Sequence, residues 1–249
     1  MRHLFATGFA VLAFSPTLWA LDEPPDKPKS PRARYEALFQ EQQKAMEAFM
    51  QVYEKATTDA ERNKLKYPQP DTYVPGFLEI ADSAPDDPAA LDCLVWIATR
   101  SRGGSSQFDK ILSRLAEKHA DSKKVGDVAM RLVYVQSPAA DTLLKAILDK
   151  NPDRKAKGLA CLAMAQRQLN KKEESKAEPL YEKAEKEFGD IDVGRGTIGK
   201  LAKAALHEIR ALGIGKPAPE IKGEDIDGKA FALSDYKGKV VVIDFWGDW

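Results

Sequence analysis

Between Asp87 and Gly189 the apolar residues return every three or four positions, and proline, glycine or lysine-rich turns break the run at intervals. A period near 3.6 demands amphipathic helices, and short breaks force successive helices to lie side by side. Asp87-Pro88 reads as an N-cap followed by proline at the first helical position, opening a helix through Trp96 that Gly103-Gly104 ends. Phe108 to Leu115 carries its partner. A second pair is expected over Val125–Val135 and Ala139–Leu148, split by Ser137-Pro138. A third spans Asp153–Leu169 and Ser175–Phe188, split by Asn170-Lys171-Lys172. Start-to-start spacing of about 30–36 residues is that of helix–turn–helix solenoids.

In the third pair, Ala160, Leu162, Ala163, Ala165, Leu169, Ala177, Leu180, Tyr181, Ala184 and Phe188 alternate small with large, as closely packed helices require. On these residues the segment resembles a tetratricopeptide repeat, while the first two pairs lack its small-residue positions. The resemblance implies a stacked surface that binds a peptide or protein; the alternative is a plain helical domain without a ligand. Upstream, Tyr35, Leu38, Phe39, Met46, Phe49, Met50 and Tyr53 share one face of a long helix. Pro68 and Pro70 end that region, and a short helix follows Pro75 through Phe77, Leu78 and Ile80.

The first residues have a different character. Arg2 and His3 precede an apolar run from Leu4 to Leu18 and then Trp19-Ala20, the layout of a secretory signal with cleavage after Ala20. The alternative is an uncleaved membrane tether, although the run is shorter than the roughly 20 residues of a spanning helix. Residues 21–31, rich in Pro, Lys and Asp, form a linker too polar to order itself. The expected location is exported, periplasmic or extracytoplasmic. With 38 basic and 38 acidic residues the formal charge is zero, so nothing draws the chain toward nucleic acid. Only Cys93 and Cys161 are present, each within an apolar helical stretch, and neither has a cysteine at metal or redox spacing. They read as buried thiols; a bridge needs their helices adjacent, with Cα atoms within about 7 Å.

Three spellings invite a site and do not support one. Gly194-Arg195-Gly196-Thr197-Ile198-Gly199 has the G-x-G-x-x-G form, but a helix and an acidic turn precede it where a dinucleotide loop needs a buried strand. It is read as a flexible connector into a helix over Leu201–Leu212. Asp225-Ile226-Asp227-Gly228 shares letters with a calcium loop but lacks the closing glutamate, so it reads as a hairpin turn with Asp227-Gly228 at positive backbone angles. His3, His119 and His207 stand apart from other ligand types. No catalytic residue, cofactor site or metal site is assigned.

The last segment is of another kind. Gly215-Lys216-Pro217-Ala218-Pro219 enters an extended stretch, and Ile221–Leu233 reads as strand, turn and strand around Asp227-Gly228-Lys229. Leu233-Ser234-Asp235-Tyr236-Lys237-Gly238-Lys239 follows as a capped turn. Val240–Trp246 is then a β-branched run of the type buried on both faces of a sheet. These elements, closing on Phe245-Trp246-Gly247-Asp248-Trp249, resemble the redoxin branch of the thioredoxin superfamily, with Gly247 in place of the usual alanine. The resemblance covers Leu212–Trp249. It implies a thiol–disulfide oxidoreductase, or a thiol peroxidase of the same superfamily, whose first reactive cysteine would stand immediately beyond Trp249 at a helix N-terminus. A non-enzymatic helical scaffold with a degenerate redoxin tail is the third reading. The expected architecture is mainly α, with stacked hairpins over 32–212 and the start of a thioredoxin-like α/β domain over 213–249. The chain reads as the front of a larger redox protein, with partners among exported protein thiols and disulfides or a redox protein. Its tail is expected to be poorly ordered, or to lean on the helices, and to aggregate.

Overall fold

The computed structural model describes residues 30–247. The expected signal at 1–20, residues 21–29 of the linker, His3, Asp248 and Trp249 lie outside the described residues. Ser30 caps the first helix, accepting from Ala33 N at 3.2 Å, and Pro31 occupies its first turn. Helix α1 runs Pro31–Lys55 and α2 is a single turn, Asp59–Arg62, held by a reciprocal Thr58–Glu61 capping box. A 3-10 turn at Pro70–Thr72 leads into α3, Val74–Ser83. Then come α4 (Pro88–Arg100), α5 (Ser106–Lys118), a 3-10 helix over Lys123–Tyr134, and α6 (Pro138–Lys150). Finally α7 (Arg154–Asn170), α8 (Glu174–Phe188) and α9 (Ile198–His207) complete the helical part, α9 continuing as a π turn over Glu208–Leu212. The molecule is mainly α, with one small antiparallel hairpin at its end.

Side-chain caps mark most helix starts. Asp87 accepts from Ala89 N at 2.8 Å, Ser105 from Phe108 N at 3.1 Å and Ser137 from Ala139 N at 3.0 Å. Each cap satisfies a donor that the helix cannot pair internally. Between them the buried faces assemble into two clusters. The larger joins α3, α4, α5, the 3-10 helix and α6 around Phe77, Leu94, Leu112, Leu132 and Leu143. The smaller joins α7, α8 and α9 around Tyr181, Phe188, Ile198 and Leu206. Helix α7 divides them: Ala156, Ala160 and Ala163 face one, and Cys161, Leu162 and Ala165 face the other. A helix buried on two sides needs small residues all round it. Gly158 is the extreme case, since a Cβ there would stand 2.5 Å from Ile198 Cδ1 and 3.0 Å from Phe188 Cβ.

The structure departs from the sequence reading at several points. Residues 123–134 are 3-10 rather than α. Val125, Val128 and Val133 with Gly126 are poor α formers, and a Cβ on Gly126 would come within 2.7 Å of Ala156 Cβ, so α7 presses this segment closely. The long first helix stops at Lys55, and only its front half reaches the core: Tyr35, Leu38 and Phe39 meet it, whereas Phe49 packs on Tyr67 and Met50 and Tyr53 are exposed. The supposed flexible connector at 191–199 is a tight reversal, with an Asp192–Thr197 bridge and Ile198 N donating to Ile191 O at 2.9 Å. Finally, Val240–Gly247 has no regular secondary structure, because a central strand needs neighbours on both edges and none among the described residues pairs with it.

Candidate functional site

The segment 213–247 carries the redoxin-like pattern, and its local structure explains most of that pattern. Strands β1 (Lys222–Glu224) and β2 (Ala230–Ala232) pair antiparallel, Lys222 opposite Ala232 and Gly223 opposite Phe231. The Phe231 ring lies over Gly223, where a Cβ would be 3.1 Å from Phe231 Cζ. The turn between the strands is organised by Asp225 and not, as its sequence suggested, by an Asp227-Gly228 pair at positive angles. Asp225 Oδ1 accepts from Asp227 N at 3.0 Å and from Lys229 N at 2.9 Å, and only Gly228 takes a positive φ, 76°. That carboxylate is spent on the backbone, which accounts for the Asp-x-Asp-Gly spelling without calcium.

The Leu233–Lys239 motif follows as a 3-10 turn over Leu233–Tyr236. Asp235 Oδ2 accepts from Ala232 N at 2.9 Å, and Glu220 Oε1 accepts from Ser234 N at 3.0 Å. The Ser234 side chain and backbone hold the Glu220 carboxyl below its ordinary pKa. Leu233 N donates to Ile221 O at 2.8 Å, tying the turn to the strand entrance. Gly238, at φ 83°, reverses the chain as only glycine does cheaply. Beyond it the apolar run is open to solvent, with Val240 98%, Val242 90%, Phe245 81% and Trp246 86% exposed. Such a contiguous apolar surface marks a face built to be covered.

Thiol chemistry finds no group in the described residues. Cys93 on α4 and Cys161 on α7 are both free and fully buried, in different clusters. Burial, with Asp92 adding to it, pushes the Cys93 thiol up to about 12, and burial pushes Cys161 up to about 11. Exchange needs an accessible thiolate, and these are protonated and sealed. Cys161 Sγ instead contacts Leu180 O at 3.3 Å, joining α7 to α8.

The glycine motif is accounted for by packing. Gly194 (φ 85°) and Gly196 (φ 109°) make the reversal, and Gly199 sits on Gly189, where a Cβ would be 2.9 Å from Gly189 O. His119 ends α5 and His207 ends α9; burial, followed by Arg114, lowers the His119 pKa. Sequence reasoning passed over the most connected polar group. Arg167, on the α7 face toward the 3-10 helix, is 3% exposed and binds Asp141 together with the carbonyls of Leu132, Val135 and Ser137. Within an alanine-rich helix an arginine reads as solvated, and nothing local signals otherwise.

Comparison with known proteins bears on the redox reading. No family model matches the chain, and no solved structure matches it. The thiol-disulfide oxidoreductase ResA of Bacillus cereus is 50% identical over 55 residues, which are 22% of this chain and 32% of that protein. ResA of Bacillus thuringiensis is 50% identical over 36 residues, 14% of this chain and 21% of that protein. ResA of Geobacillus thermodenitrificans is 40% identical over 42 residues, 17% of this chain and 24% of that protein. The chain thus spans about a third or less of the length of these curated relatives. These short matches support a relationship to the thioredoxin-like redox proteins.

Proposed function

We propose that this chain supplies an exported helical domain and the opening of a thioredoxin-like thiol–disulfide oxidoreductase unit. One observation carries the reading: residues 215–246 run as hairpin, capped 3-10 turn, Gly238 reversal and an uncovered β-branched run. That is the order in which a redoxin brings its chain to the central strand, and the short matches to ResA support it. On this proposal the reacting pair is a C-x-x-C beyond Trp249. Its first thiolate, stabilised at a helix N-terminus, would attack a substrate disulfide, and the second cysteine would resolve the mixed disulfide. The substrates would be exported proteins or a redox partner, held in place by the helical domain. Export rests on residues 1–20, either cleaved or kept as a tether.

A second reading, a helical interaction protein with a vestigial redoxin tail, draws on the inert burial of Cys93 and Cys161. Sequencing the gene and transcript past Trp249 separates the two. A C-x-x-C directly downstream, with disulfide reductase activity in the product that its Cys→Ser variants lose, supports the oxidoreductase. A single cysteine in its place indicates a thiol peroxidase, and a stop codon leaves the interaction protein.

A further inference from the structure

A cleft of about 270 Å³ opens where the end of α4 meets the start of α5. Its floor is apolar, formed by Val74, Ile97, Phe108 and Ile111. Its rim is polar and incompletely paired. Ser101, also in the lining, is 6% exposed, and its Oγ has no hydrogen-bond partner. The rest of that residue is satisfied: its N donates to Ile97 O at 2.9 Å and its O accepts from Arg131 Nη2 at 3.1 Å. A buried hydroxyl without a partner is costly, so one native group left this way at the edge of a cleft calls for an explanation.

Two further polar groups belong to residues of the same lining. Ser105 takes the N–H of Phe108 at 3.1 Å, whereas the N–H of Gln107, in the first turn of the 13-residue α5, takes no acceptor among the described residues. Asp71 uses Oδ1 to accept from Arg102 N at 3.2 Å, which leaves its other oxygen to accept again. The cleft therefore offers an acceptor at Asp71, a donor at Gln107, and at Ser101 a hydroxyl able to do either. A carboxylate ligand would meet the donor but lie beside the charge of Asp71, while Arg102, the cation in the same lining, already donates Nη2 to Gln69 Oε1 at 3.0 Å. A peptide group meets both, with its N–H directed to Asp71 and its C=O to Gln107 and Ser101. The volume lies below the ~300 Å³ at which drug-sized sites begin, and suits one side chain.

We propose that this cleft binds a bulky apolar residue in peptide linkage, within an extended segment of a partner polypeptide. The inference deepens the partner-positioning part of the proposed function and rests on that part alone. The test titrates the whole chain with three probes: N-acetyl-leucinamide, an acetylated and amidated pentapeptide with leucine at its centre, and isovalerate. Amide shifts of Ser105 and Gln107 and methyl shifts of Val74 and Ile97 are followed by NMR.

Leucinamide should bind with a dissociation constant on the order of millimolar, as a ligand of its size allows. The pentapeptide should bind at least about tenfold tighter, because it adds peptide groups along the rim. Ser101→Ala should weaken both about fivefold, the worth of one hydrogen bond, while its unfolding midpoint stays level or rises. Gln107→Pro, which removes one N–H at a position where helices tolerate proline, should weaken them likewise. Equal binding of leucinamide and pentapeptide would overturn the polypeptide source in favour of a small amide. Isovalerate binding as well as leucinamide would overturn the peptide chemistry. No shift with any probe at ~20 mM, or undiminished binding in both variants, would overturn the site itself. None of these results touches what lies beyond Trp249, so the redox proposal stands or falls separately.

Discussion

Replacing Arg167 should be among the most damaging single changes available to this chain. Its Nε donates to Asp141 Oδ1 at 2.6 Å, its Nη1 to Leu132 O and Val135 O at 2.5 Å each, and its Nη2 to Ser137 O at 3.2 Å. The three carbonyls belong to the end of the 3-10 helix and the turn into α6, and each also accepts one backbone N–H, from Val135, Ser137 and Ala140 in turn, so the guanidinium supplies their second bond. Removing one member of a buried charged network costs about 3–5 kcal/mol. Asp141 is 39% exposed, so water recovers much of its share, and the carbonyls keep their backbone donors, so the estimate rests on the lost charge-assisted bonds and the packing of the stem. We expect about 4 kcal/mol for Arg167→Ala and about 3 kcal/mol for Arg167→Met, which keeps the stem in contact with its neighbours. At about 2–4 °C per kcal/mol for a chain of this size, Tm should fall by roughly 8–16 °C in the alanine variant. Urea unfolding followed by circular dichroism at 222 nm measures the change directly. An Arg167→Met variant within about 0.5 kcal/mol of the parent, at unchanged m, would show that the backbone donors suffice for the carbonyls and that the guanidinium is dispensable.

Other expectations follow from the same packing. Burial raises the pKa of Asp141, but Arg167 and Lys171 outweigh it and leave the carboxyl below its ordinary 3.8. Its contribution to stability is therefore present above that value and is lost as pH falls through the lower folded value, and Asp141→Asn should flatten acid unfolding in this window. Cys93 and Cys161 should ignore an aromatic disulfide reagent in the native state and both react in denaturant; rapid native labelling would contradict their burial. Gly199→Ala should cost about 1–3 kcal/mol by driving α9 off Gly189, and titration with NAD should show no binding to the parent or the variant. Val242→Lys together with Phe245→Lys should reduce self-association in sedimentation velocity and leave helical content unchanged, since both residues are exposed.

How much was legible from the sequence depends on whether the signal is local. The helix start at Asp87 depends on a side chain bonding to backbone two residues away, so its cap was legible, whereas Ser105, Ser137 and Asp153 cap in the same way without having been read as caps. Apolar periodicity likewise identifies the buried faces of α4 to α8, and the succession of Gly215, the hairpin and Leu233–Lys239 points to a redoxin opening because its contacts stay within the segment itself. The Asp225 turn was the exception within that segment, read from its Asp-Gly pair when the carboxylate two residues earlier organises it.

Tertiary structure decided the rest. Residues 123–134 coil as 3-10 where Ala156 lies tightly against Gly126, a contact no window of sequence contains. Arg167 gained its role from carbonyls 30 or more residues away, and Ser101 its unpaired hydroxyl from how α4 and α5 meet. The fate of Val240–Trp246 shows the same division. Sequence alone determined that this run is β-branched, apolar and suited to a covered strand, since those are properties of side chains. Whether it becomes one is set by neighbours that pair its backbone and shield its faces, because a strand, unlike a helix, makes its hydrogen bonds with other strands.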